Sequence, residues 1–238
     1  MTREVCIVAG LAMKAPNLAP FARLGQMFAE TAEVHYVNGA ELVDGQLLAS
    51  GPLDQAKKVI DVAANSDSEE TLIVTHSLGA AAAVLCLEQQ STTDMRCIAI
   101  APPLPSPYKV LHHERMKRRL EIGEDGIKIP SYSFALGNQG PSDTPPEPID
   151  VFIPTAYFEQ THVVSSHFSD MVKALTDSGK LQIVAPTQDW NRQNTELAGL
   201  FSGTVYIDAP HSLQGTTDEI ENTCKAIHEM AVEAGSLV

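Results

Sequence analysis

The sequence predicts an α/β protein: a mostly parallel central sheet with helices on both faces, interrupted by a lid insertion. Three observations predict it. Short β-branched, apolar runs alternate with amphipathic helical patterns at the rhythm of βαβ units. Those runs are apolar along their length, as strands covered on both faces must be. A long proline-rich stretch in the middle of the chain suits no central strand, because proline cannot donate to a ladder.

Taken in chain order, strands are expected at residues 4–9, 33–37, 71–74, 96–100, 181–185 and 204–207. Between them, residues 21–32 and 53–65 carry apolar side chains at three-and-four spacing, and residues 80–89 form an alanine-rich helix. Further helices are expected at 190–200 and 218–234. Ser50 or Asp54 suits the N-cap of the second helix, and Thr216 or Thr217 that of the last. More than half of the prolines fall between Pro102 and Pro148. Residues 102–180 therefore read as the insertion, and 1–101 with 181–238 as the core. The insertion holds a basic helix around His112–Arg119, a Pro/Gly/Ser/Asp-rich stretch in which Pro141 to Pro148 could be a mobile loop, and a helix over 166–176. It begins just after the strand ending at Ile100, where it can lie over that edge of the sheet as a lid.

Composition narrows the function. A chain of 238 residues that is 44% apolar can bury a substantial core. Its net charge of −14 opposes binding to a phosphate backbone, and the short basic cluster carries no interleaved aromatics, so no nucleic-acid partner is expected. Cys6, Cys86, Cys97 and Cys224 lie in apolar contexts without C-x-x-C spacing. Buried free thiols in a reducing, cytoplasmic setting fit that pattern better than zinc or disulfides. Glu4 spoils a signal-peptide reading of the apolar N-terminus, and no run approaches the ~18 apolar residues of a membrane span. Neither G-x-G-x-x-G nor G-K-[ST] occurs, so no nucleotide cofactor is expected.

The most informative stretch is Thr71-Leu72-Ile73-Val74-Thr75-His76-Ser77-Leu78-Gly79 followed by the helix from Ala80. A strand turns sharply into a helix with a serine at the apex. Such a turn holds the hydroxyl clear of the sheet, with helix N–H groups behind it. By itself Ser77 would also suit a helix N-cap. Two later strand ends change the balance. Residues 181–185 run into a loop carrying Asp189, and residues 204–207 run into a loop carrying His211. A serine needs a base to take its proton and the base needs a carboxylate to orient it, in the chain order Ser, Asp, His. Asp208 is a rival acid, three residues before His211, and Asp189 could instead cap the following helix. Asp189 is preferred, because Asp208 falls in the strand itself.

On these residues the chain resembles the α/β-hydrolase superfamily, in particular its small lidded esterase-, lipase- and thioesterase-like members. The resemblance covers the first strand, the His76-Ser77-Leu78-Gly79 turn, the Asp189-Trp190 loop and the His211-Ser212-Leu213 loop. It implies Ser77 as nucleophile, His211 as general base and Asp189 as triad acid, with the backbone N–H groups of Leu11 and Leu78 as the oxyanion hole. Two positions depart from the family pattern. Thr75 stands where the elbow motif has glycine, placing a branched side chain in the tightest part of the turn. Ala9-Gly10 stands where the family has His-Gly, so a histidine that stiffens the oxyanion loop is absent.

The resemblance implies a serine hydrolase acting on a small ester or thioester. The same triad could instead serve acyl transfer or C–C bond hydrolysis, and the fold could serve an inactive small-molecule receptor. His76 is expected to be structural or to line the pocket. Tyr132, Phe134, Tyr157, Phe158 and Phe168 either line an acyl pocket or simply pack the lid. Trp190 is read as a packing residue. His162 and His167 could touch substrate, and His112 and His113 are read as solvated. His35, His76 and His167 lack the spacing of a metal site, so no metal is expected.

Overall fold

The computed structural model describes residues 3–66, 68, 70–89, 94–117, 120–132, 147–189 and 192–233, with only the main chain of Glu114 and Lys117. The spine is a sheet of six strands: β1 (Glu4–Val8), β2 (Glu33–Val37), β5 (Glu70–His76), β6 (Asp94–Ile100), β9 (Leu181–Gln188) and β10 (Val205–Pro210). Their order is β10-β9-β6-β5-β1-β2 and every pairing is parallel. All six expected strands are present, each within a few residues of its expected bounds.

Alternation along these strands explains why they are apolar throughout. Val5 and Ile7 of β1 point to one face with Leu72, Val74, Ile98 and Ile100. That face is covered by α1 (Ala19–Phe28) and α8 (Thr217–Ala231). Cys6 and Val8 point to the other with Ile73, Cys97, Ala99 and Ile183. There α2 (Pro52–Asn65), α3 (Ala80–Gln89) and α6 (Phe168–Asp177) complete the sandwich. The central strands β1, β5 and β6 are covered on both faces, so side chains of both parities there are mostly apolar. The helix α3 is buried from Ala80 to Leu87, which its uniformly apolar, small side chains allow. Thr216 caps α8 in a reciprocal capping box with Glu219, as its sequence suggests. The second helix differs from expectation: Gly51 occupies its N-cap, Pro52 its first turn, and neither Ser50 nor Asp54 caps it.

A second sheet, order β3-β4-β8-β7, sits beside the first. It joins the hairpin β3 (Ala40–Val43) and β4 (Gln46–Ala49) to β7 (Gly126–Ser131) and β8 (Ile149–Pro154). Sequence periodicity assigns no strand to residues 40–49. The readable signal is Asp44-Gly45, both in the left-handed region (φ 49° and 81°), as a tight hairpin turn requires. Residues 102–180 thus hold more than helices. They supply α4 (Pro107–Lys117), the two strands β7 and β8, α5 (Thr155–Ser165) and α6. Pro130 is tolerated in β7 because that strand is an edge. The remaining helix, α7 (Arg192–Ala198), follows β9. The stretch from Pro141 to Pro146, together with Phe134 and Trp190, lies outside the described residues.

All four cysteines are buried and free, and burial pushes the thiols of Cys6, Cys86 and Cys224 up to about 12. Among the described residues, no helix is long and apolar enough to cross a membrane.

Candidate active site

The carboxyl ends of β1, β5, β6 and β10 converge, and the backbone there is strained. Ala12, Ser77, Ala101 and Leu213 follow these four strands with φ of 52°, 52°, 49° and 57°. Non-glycine residues in that region cost energy and persist only where the surroundings enforce them. At Ser77 the enforcement is visible. His76 is still extended (φ −128°, ψ 134°), Ser77 turns left-handed, and a helical turn over Ser77–Gly79 leads into α3. Gly79 is required by packing: a Cβ there would lie 2.8 Å from the carbonyl oxygens of Val8 and Ala9. Gly10 is equally confined, since its Cβ would fall 3.3 Å from the Cβ of Ser77.

Thr75 does not crowd the turn. It belongs to β5, in register with Val8 and Ala99, and is 1% exposed. The sharp bend starts two residues later, so the branched side chain lies in the sheet–helix layer beside Cys97.

The structure brings Ser77, His211 and Asp189 together from three strand ends. His211 Nδ1–H donates to Asp189 Oδ2 at 3.0 Å, which leaves Nε2 as acceptor for the Ser77 hydroxyl at 3.2 Å. The Asp189 side chain is 1% exposed and that of His211 15%. Asp208 lies elsewhere: it is solvent-exposed and accepts from Gln188 and Thr187, which hold its carboxyl below its ordinary value. The imidazole therefore meets Asp189, not its closer neighbour in sequence.

His76 is 2% exposed, wedged between Phe21 and His211 with ring centroids 5.1 and 5.0 Å away. Its Nε2–H donates to the main-chain carbonyl of His211 at 2.7 Å. Desolvation, reinforced by His211, lowers its pKa to about 3, so His76 is neutral under ordinary conditions. It borders the cavity and also ties the strand that ends at Ser77 to the loop that carries His211.

Sequence reasoning missed the residue that stiffens the loop after β1. Gln55 of α2, 3% exposed, donates through Nε2 to the carbonyls of Ala9 (2.9 Å) and Asn38 (3.3 Å). Ser131 Oγ–H donates to Ala12 O at 2.6 Å from the second sheet, and Gly39 N–H donates to Met13 O at 2.8 Å. These bonds pin the segment where the family's histidine is absent. The signal in the sequence was a lone glutamine at a core-facing helix position, uninformative until its partners are known.

Above Ser77 lies a cavity of about 300 Å³, lined by Leu11, Leu78, His76, His211 and Ser212 below. Its upper wall is aliphatic: Val110 and Leu111 of α4, Leu120, Ile127 and Ile129 of β7, and Ile153 of β8, with Arg115 beside them. Of the two roles open to the aromatics, none of the described ones lines the cavity. Phe168 is fully buried under α3, Tyr157 and Phe158 pack within the cluster of the second sheet, and Tyr132 is 53% exposed. The rings of Phe168, Tyr157 and Phe158 stabilise the layers, while β-branched strand residues face the cavity. His162 is exposed and meets the Tyr108 ring edge-on at 4.9 Å, and His167, also exposed, precedes α6. Among the described residues, Glu4, Glu33 and His35 alone converge as a candidate cation cluster. They sit at the amino ends of β1 and β2, opposite Ser77, and Glu4 already accepts from His35 and Ser66 at 2.5 Å each.

No family model and no curated protein matches the chain. Solved structures do. The pyrethroid hydrolase PytH is similar over all of both chains (TM-score 0.61, 13% identity). Est1E from Butyrivibrio proteoclasticus is similar over 98% of this chain and 88% of its own (TM-score 0.60, 12% identity). Methylketone synthase I from tomato is similar over 98% of each chain (TM-score 0.57, 12% identity). At such identities the likeness is one of fold. The chain has the α/β-hydrolase fold, with an insertion between the central and late strands.

Proposed function

We propose that this protein is a serine hydrolase that cleaves an ester or thioester of a small carboxylic acid. The observation carrying the reading is the relay Ser77–His211–Asp189, with contacts of 3.2 and 3.0 Å, on a strained turn beneath an apolar cavity. Ser77 Oγ attacks the carbonyl carbon while His211 Nε2 takes its proton, and Asp189 stabilises the imidazolium. The oxyanion rests on the N–H groups of Leu11 and Leu78, each such donor being worth about 3 kcal/mol. Collapse breaks the C–O or C–S bond, and His211 returns the proton to the leaving group. Water, deprotonated by His211, then attacks the acyl-enzyme and releases the acid and Ser77. The insertion, residues 102–180, roofs the cavity and excludes bulk water. A volume of about 300 Å³ lies at the lower end for ligand sites and favours a short acyl chain. Neighbours named as a hydrolase, and one described with bound ferulic acid, accord with this reading. Four buried thiols accord with a cytoplasmic location.

The test is labelling with a fluorophosphonate probe together with turnover of short p-nitrophenyl esters. Wild type should label and turn over, and Ser77→Ala and His211→Ala should do neither. A wild-type protein that neither labels nor hydrolyses any ester would instead be a receptor on the same fold.

A further inference from the structure

Among the described residues, Arg115 is the one cation lining the cavity above Ser77. It reaches in from α4, between Leu111 and Leu120, into walls that are otherwise aliphatic. Its Nε is shielded from solvent, and among the described residues no acceptor meets it and no acid pairs with the guanidinium. Arginines on lids commonly lay their methylenes along apolar surface and keep the head group in water. A buried Nε is not that arrangement. Arg115 as a whole is half-buried, and burying its Nε–H without an acceptor is costly unless a ligand completes it. The chain carries 30 acidic residues against 16 basic ones, so an internal partner would have been easy to supply.

We propose that Arg115 is a specificity-determining residue and that the substrate carries a carboxylate in addition to its scissile ester or thioester. The planar fork of a guanidinium matches a carboxylate in two parallel hydrogen bonds, and in a dry cavity such a bond is strong. The substrate class is a half-ester of a short dicarboxylic acid, or an ester whose alcohol part bears a carboxylate. Hydrolysis consumes one water and yields the acid and the alcohol, the second carboxylate being unchanged throughout. This inference rests on the hydrolase reading for the reaction, but not for the binding.

The binding arm uses Ser77→Ala protein, which does not turn over, and compares monomethyl glutarate with dimethyl glutarate by calorimetry. The anionic compound should bind at least tenfold more tightly, and the advantage should shrink as ionic strength rises. Adding Arg115→Gln should abolish the advantage, and Arg115→Lys should restore part of it. The kinetic arm compares kcat/KM for p-nitrophenyl hydrogen glutarate and 4-carboxyphenyl butyrate with that for p-nitrophenyl butyrate. The anionic-to-neutral ratio should fall at least tenfold in Arg115→Gln for one of the two, which identifies the side bearing the carboxylate. No anionic preference in Ser77→Ala protein, or a preference that survives Arg115→Gln, overturns the proposal. Anionic preference in binding without turnover of any ester would sink the hydrolase reading while upholding this one.

Discussion

The ring of His76 donates its Nε2–H to the main-chain carbonyl of His211 at 2.7 Å, binding the residue before Ser77 to the residue whose imidazole faces Ser77. A main-chain bond fixes where the histidine loop sits, and the T-shaped contact between the rings, 5.0 Å apart, fixes how His211 tilts. His76→Ala should therefore lower kcat for a p-nitrophenyl ester roughly 10- to 100-fold with little change in KM, because misplacing the base costs reactivity rather than affinity. An equal rise in KM would show instead that His76 acts only as pocket wall.

The same residue makes stability pH-dependent. The unfolded chain protonates His76 near its ordinary 6.5, whereas the fold resists protonation down to about 3. Between those values the unfolded state binds the extra proton, so stability falls as pH drops, by up to about 1.4 kcal/mol per unit. Below about 3 the contribution levels off. Urea unfolding across pH 4 to 7 should show a shallower acid loss in His76→Gln than in wild type, by roughly one proton.

Asp189→Asn should cost about a thousandfold or more in kcat, since the asparagine no longer holds the imidazole tautomer that accepts from Ser77. Asp208→Asn should change the rate by less than about threefold, because among the described residues its carboxyl accepts from Thr187 and Gln188 at the surface and not from His211. A reversed result from steady-state kinetics would overturn the assignment of the acid.

Gln55→Leu strips the carbonyls of Ala9 and Asn38 of their buried donor. A loss of about 1–3 kcal/mol is expected by chemical denaturation. Catalysis should fall as well, because the loosened segment carries Leu11. Retained activity at reduced stability would mean that Gln55 braces the fold alone.

Thr75→Gly restores the glycine of the elbow motif, yet should not help. The position is a buried strand residue in register with Val8 and Ala99. Glycine there loses packing and adds unfolded-state freedom, a cost of about 1–2 kcal/mol with activity within a few-fold of wild type. Thermal melts alongside ester turnover decide the point.

The central sheet was legible because its physics is local. Runs such as Val5–Val8 and Leu72–Val74 must be buried on both faces, and only a parallel sheet between helices does that. The serine turn was legible for a related reason, since few local structures put a strand, a lone serine and an alanine-rich helix in succession. The hairpin over residues 40–49 was not. It is too short and too polar on one side to show a period, and its stability comes from Leu48 meeting Phe152 far along the chain.

The sequence by itself determined the layers, the strand order's parallel character, and the three strand ends at which Ser77, Asp189 and His211 could meet. Periodicity and turn chemistry suffice for these, because each is set within a dozen residues. Only the tertiary structure decided which carboxylate faces the imidazole, that Gln55 does the bracing expected of a loop histidine, and that aliphatic rather than aromatic side chains line the cavity. It alone placed Arg115 there with no partner among the described residues. Such facts depend on directions in space between residues as much as 135 positions apart, as His76 and His211 are, and no local pattern in a chain encodes them.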